Sequence, residues 1–188
     1  MSEIHDAFAP LGQAPINLPS SSAMHPEQGE IIRQSKEILV NLPTARPLLD
    51  FANLNQVSIS VLNGKEPEFS SPDNKSVVLI APRIYAKDIK ELALCLACGL
   101  KIVQNYYLGF RPTTASHDTL EWKNEQAGKL LDIIILMCKI AEEYVVVSND
   151  TKFVDLIKRL GHSDMYEAFL NKAPYEELEK IMLKSINK

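Results

Sequence analysis

Nine consecutive apolar residues, Leu92 to Leu100 (LALCLACGL), constrain this chain more than any other stretch. On an α-helix such a run covers every side of the cylinder. A helix that is greasy all round has to be enclosed by other elements. It is too short to cross a bilayer, which takes about 20 apolar residues. Asp88 is placed to start this helix, and the pattern carries it to about Tyr107. The chain has 188 residues, 46% hydrophobic and 23% charged, which is ample material for the layers such a helix needs.

The flanking segments supply those layers. Residues 1–26 hold four prolines and a run of three serines, and read as an extended arm with one apolar patch at Ile16-Asn17-Leu18. From Glu27 the residues Ile31, Ile32, Ile38, Leu39 and Leu42 fall on one helical face, which stops near Pro43. Thr44 is placed to cap a second short helix, with Pro47 in its first turn and Leu48, Leu49, Phe51, Ala52 and Leu54 inside. QVSISVL, Gln56 to Leu62, alternates apolar and polar residues as a half-buried strand does. SVVLIAP is a second strand. Turn signals at Asn63-Gly64 and Pro72-Asp73-Asn74 lie between the two. LGFRPTTASHD reads as a loop, and Asp118 or Thr119 caps a long helix from Leu120 to about Val146. Shorter helices are expected at 151–160 and 163–171. Pro174 opens a last helix with Leu178, Ile181, Met182 and Ile186 on one side. The fold class is α+β, mainly α-helical with about six helices, and a small antiparallel sheet or hairpin near residues 56–81. Residues 27–188 are expected to form one domain.

The apolar helix carries Cys95 and Cys98, and Cys138 lies on the next long helix. A redox Cys-x-x-Cys sits at a helix N-terminus, where the dipole lowers the thiol pKa. This pair lies two turns inside, in apolar surroundings. Thiolates at i and i+3 share a face and are able to hold zinc, with Cys138 and either His117 or His162 completing a Cys₃His set. No second Cys-x-x-Cys or His pair supports that reading, and small buried cysteines filling a core helix are the simpler one. Three cysteines cannot all pair within the chain, so a reducing compartment fits best. The N-terminus shows no basic and apolar leader, and a cytoplasmic location is expected, signal-less secretion remaining an alternative. The net charge is −4 with no basic stripe, which argues against nucleic acid as a partner.

One resemblance emerges from the order of elements. A helix, LLDFANLNQVSISVLNG, a strand SVVLIAP and a buried helix ending in Gln is similar to the layout of bacterial zincin-like metallopeptidase domains. There the helix reads L-x-H-E-x-R-H-A-x-Q, two His residues hold zinc, and the Glu polarises water. With Gln104 on the terminal Gln, the first His position is Ala97, the Glu position is Cys98 and the second His position is Lys101. None of the three keeps its chemistry. Glu142 and Glu143 fall where a downstream helix supplies an acidic ligand. The resemblance spans residues 44–146 and implies a zincin-like scaffold that has lost its peptidase function. A buried Lys101 would need a carboxylate partner such as Glu142 or Glu143, or a lowered pKa.

Other candidates are weaker. Ser116, His117 and Asp118 are adjacent, and adjacent side chains cannot line up as nucleophile, base and orienter. Glu142-Glu143 and Glu176-Glu177 point about 100° apart on a helix and read as solvated faces. Tyr106, Tyr107, Phe110 and Arg111 cluster at a helix end, with Trp122 nearby, a composition enriched in binding surfaces. No cofactor is implied. The sequence therefore points to a non-catalytic domain that binds a protein partner or a small ligand. The alternative is a metal-dependent hydrolase whose ligands, such as His117, Glu142, Glu143 and His162, are dispersed.

Overall fold

In the computed structural model, residues 26–65, 68–73, 75–82, 89–109 and 120–186 are described. They group into two units that divide between Phe110 and Arg111. The expected arm at 1–26 lies outside the described residues except for Pro26, the first residue of α1. Among the described residues there are seven helices and three strands, an α+β fold dominated by helix.

The first unit begins with α1 (Pro26–Leu39) and α2 (Arg46–Leu54). In α1 the residues Ile31, Ile32 and Leu39 are buried as the periodicity demands, and Ser35 is buried among them. Helix α2 starts two residues after the expected cap. Ala45 occupies the N-cap position without a side-chain cap hydrogen bond, and Pro47 sits in the first turn, where its missing N–H costs nothing. Leu48, Leu49 and Ala52 are buried. Leu54 was expected among them but is 84% exposed. It lies about 200° round the helix from Ala52, on the opposite side.

Strand β1 (Ser58–Gly64) follows, then β2 (Glu68–Asp73) and β3 (Ser76–Pro82). Strand β2 is absent from the sequence-based expectation. EFSSPD lacks a run of β-formers and contains a proline, which sheets tolerate at an edge. The sheet order is β1-β3-β2, so β3 lies in the middle. The two strands that were expected are neighbours, but parallel: Ile59 pairs with Val77 and Val61 with Leu79. The antiparallel hairpin is β2–β3, with Phe69 opposite Leu79 and a register shift between Ser70 and Asp73. Asn63-Gly64 is correspondingly not a turn. Both residues extend β1, opposite Ala81 and Pro82.

Helix α3 (Ile89–Tyr107) packs on β2 and β3 and against α1 and α2. Every residue from Glu91 to Leu100 is buried, so the apolar run is enclosed as expected. Burying each of its four leucines, Leu92, Leu94, Leu96 and Leu100, is worth about 2 kcal/mol. The glycine in the run, Gly99, lies against Val77 and Phe69, and Ser71 Oγ donates to the Gly99 carbonyl at 3.1 Å. A short residue there lets the helix backbone approach the sheet.

The second unit is helical. The long α4 (Leu120–Ser148) packs with α5 (Lys152–Arg159), α6 (Ser163–Leu170) and α7 (Tyr175–Ile186). Tyr144 of α4 stacks on Phe153 of α5, ring centroids 4.1 Å apart. Asp150 accepts the Lys152 N–H at 2.8 Å, an Asx turn that leads into α5, whose N-cap residue Thr151 makes no side-chain cap bond. Leu178 and Met182 of α7 are buried as expected. Among the described residues no helix is long and apolar enough to cross a membrane.

Candidate functional site

The end of α3 carries the first candidate surface. The apolar periodicity that buries this helix ends at Val103, and the following turn faces outward. Gly109 turns the chain there with φ +92°, and its N–H bonds to the Tyr106 carbonyl at 3.0 Å. Tyr107 is 53% exposed and Leu108 67% exposed. The Tyr107 ring meets Phe51 of α2 edge to face, with centroids 5.6 Å apart. Leu54, one turn beyond Phe51, is the most exposed leucine on α2. Tyr106 is half-buried, and burial raises its phenol pKa above the ordinary value. The structure thus joins Tyr107 to Phe51, an α2 residue that the sequence places in the core. Phe51 and Leu54 were legible only by placing α2's apolar positions on a helical wheel and noting that they do not share one face. Phe110, Arg111, His117 and Asp118 lie outside the described residues, as does the Trp122 side chain.

The positions aligned with zincin chemistry are elsewhere on the same helix. Ala97 and Cys98 are fully buried within the α3 packing. Lys101, one turn on, is half-buried, and its ammonium donates to Gln104 Oε1 at 3.2 Å. The partner is an amide; the expectation of a carboxylate applies to a buried ammonium, and this one is only half-buried.

All three cysteines are buried. Burial, helped by the Glu142 carboxylate one turn away, pushes the Cys138 thiol up to about 12. Glu142 and Glu143 are half-buried, where a solvated face had been expected. Among the described residues no three His, Cys, Asp or Glu side chains converge in a way that would hold a metal ion.

A concave site lies in the second unit, between the start of α6 and the end of α7. Its volume is about 500 Å³, and its walls include His162, Met165, Ile181, Met182 and Lys184. The sequence builds it locally. Gly161, with φ +84°, ends α5 in a Schellman motif: its N–H bonds to the Lys158 carbonyl and the His162 N–H to the Ile157 carbonyl. That turn delivers His162 to the N-cap position of α6. Its Nε2 is buried, and burial lowers the imidazole pKa below 6.5. On the facing helix, Ser185 Oγ donates to the Met182 carbonyl at 2.7 Å and lies 3.5 Å from Met182 Sδ. Sequence reasoning named His162 as a dispersed ligand but gave no sign of the cleft, which forms only when α6 and α7 meet.

Scans against protein-family models, curated proteins and solved structures find no match to this chain.

Proposed function

We propose that this chain is a non-catalytic binding protein, cytoplasmic, on a zincin-like scaffold that has lost its hydrolytic chemistry. The observation that supports it most is the burial of Ala97 and Cys98. A hydrolytic helix must open its ligand and base positions to a substrate cleft. Here those positions are closed by packing. The contact surface in this reading is the α2–α3 corner of Phe51, Leu54, Tyr107 and Leu108. An aromatic edge flanked by exposed leucines suits an apolar segment of a partner protein. The competing hydrolase reading requires bound metal and turnover.

Two measurements test this. Purified full-length protein, prepared without chelators or a His tag, is assayed for zinc content and for cleavage of an unstructured protein such as casein. Metal-free protein without cleavage is expected, and stoichiometric zinc with cleavage overturns the reading. A photo-crosslinker at Leu54 in cells is expected to give one discrete adduct that the Tyr107→Asp substitution abolishes. The same probe at the exposed Val146 of α4 should give none. Adducts equal at both positions and insensitive to Tyr107→Asp would remove the corner as a binding surface.

A further inference from the structure

The sheet order β1-β3-β2 leaves β1 at an edge. The Ser58 N–H bonds to the Lys75 carbonyl at 2.7 Å, so the peptide groups of Ser58 and, two residues on, Ser60 face β3. Those of Ile59 and Val61 therefore face outward. One of these outward groups is occupied: Gln28 Nε2 of α1 donates to the Val61 carbonyl at 3.0 Å. A side-chain amide stands there where a neighbouring strand would place an N–H. The Ile59 N–H, the Ile59 carbonyl and the Val61 N–H have no partner on that side among the described residues. The side chains of Ile59 and Val61 are buried in one row with Val77 and Leu79, on the face of the sheet that meets α3 at Gly99.

The chain enters the fold beside this edge. Pro26, two residues before Gln28, is the first residue of α1, so residues 1–25 connect there. They include Pro15-Ile16-Asn17-Leu18-Pro19. Ile16-Asn17-Leu18 repeats the apolar-polar-apolar order of Ile59-Ser60-Val61, as neighbouring strands with one buried face do. The two prolines are four positions apart, so in an extended segment both fall on one edge together with Asn17. Ile16 and Leu18 then present their N–H and C=O groups to the other edge. Such a segment pairs on one side and blunts the edge it leaves outside. The eight steps from Leu18 to Pro26 reach about 26–29 Å, more than the roughly 20 Å length of β1.

We propose that Ile16-Asn17-Leu18 adds to the outer edge of β1 in the same chain, as an antiparallel fourth strand. Ile16 pairs with Val61 and Leu18 with Ile59, each pair exchanging both backbone hydrogen bonds, so two residues meet all four outward groups. The Ile16 N–H takes the Val61 carbonyl from Gln28, whose side chain holds that position when the segment is away. Ile16 and Leu18 extend the apolar row of Ile59 and Val61, which contributes stability by burial. The inference concerns the first unit alone and rests neither on the α2–α3 corner nor on the zincin-like scaffold.

The test uses the full chain and amide hydrogen exchange read by NMR. The Ile59 and Val61 amides should exchange slowly in the wild type. In the Ile16→Asp, Leu18→Asp double variant they should exchange roughly tenfold faster or more. The Ser60 amide, which faces β3, should exchange alike in both proteins and so reports that the sheet is intact. Nuclear Overhauser contacts from Ile16 to Val61 and from Leu18 to Ile59 are expected in the wild type, and they decide the matter even if the variant fails to fold. Fast exchange at Ile59 and Val61 in the wild type would overturn the proposal. So would slow exchange that the double variant leaves unchanged. Protection that fades on dilution would also overturn it, by giving the strand to a second copy of the chain.

Discussion

Val77 Cγ1 stands 2.6 Å from the point where a side chain on Gly99 would begin. Val77 is fully buried and β-branched, so it has little freedom to swing aside. Gly99→Ala gains about 1 kcal/mol of helix propensity. It should nonetheless destabilise the protein by about 1–3 kcal/mol, because the overlap pushes α3 away from the sheet. Val77→Ala in the same chain should recover part of that loss by vacating the space. Urea denaturation of the two single variants and the double variant checks this. Additive losses would mean that the two residues do not meet.

Two buried serines should respond in opposite directions. Ser35 Oγ is buried in α1 without a hydrogen-bond partner among the described residues, whereas Ser71 Oγ donates to the Gly99 carbonyl. An unsatisfied buried hydroxyl costs about 1–3 kcal/mol, and a satisfied one contributes about 1 kcal/mol. Ser35→Ala should therefore raise the melting temperature, aided by alanine's better helix propensity. Ser71→Ala should lower it. Thermal melts of both variants under one buffer condition give the comparison.

The helices of this protein were legible because their causes are local. The run from Leu92 to Leu100 required enclosure and was enclosed, and Gly161, Pro47 and Pro174 punctuate helices where their backbone preferences allow. Strand β2 was not legible, since Phe69 is its one large apolar residue and its pairing with β3 is a tertiary event. The parallel β1–β3 pairing was hidden for the same reason: a strand inserted between two others leaves no mark on the segments it separates. The candidate sites divide the same way. Tyr107 was visible as an aromatic at a helix end. Its contact with Phe51, and the cleft that His162 and Met182 both line, depend on how helices pack together.

His162 gives the stability a pH dependence of known sign. Burial lowers its folded pKa below the ordinary 6.5, with Asp164 and Lys184 lining the same cleft. As pH falls through about 6.5, the unfolded chain takes up the proton and the folded chain does not. The contribution is thus complete above that value and is lost as pH falls from there toward the lower folded pKa. His162→Asn should flatten this limb of the profile. Urea midpoints measured across roughly pH 5 to 8 would show it. An identical slope in the variant would assign the dependence to other groups.

The cysteines should behave as core residues toward reagents. Cys95, Cys98 and Cys138 are all buried, and the Cys138 thiol is pushed up to about 12, far from its reactive form. In native protein at mildly alkaline pH, an aromatic disulfide reagent should find almost no thiol. In denaturant it should find three per chain. Prompt reaction of one thiol in the native state would show that part of the packing opens readily.

The most direct test of the non-catalytic reading is the zinc content of the full-length protein, measured by mass spectrometry after purification without chelators or a His tag. Packing of Ala97 and Cys98 inside α3 leads to an expected content far below one zinc per chain, with no change in melting temperature on adding a chelator. A content close to one zinc per chain, with a melting temperature that falls when the metal is removed, would contradict it and restore the hydrolase.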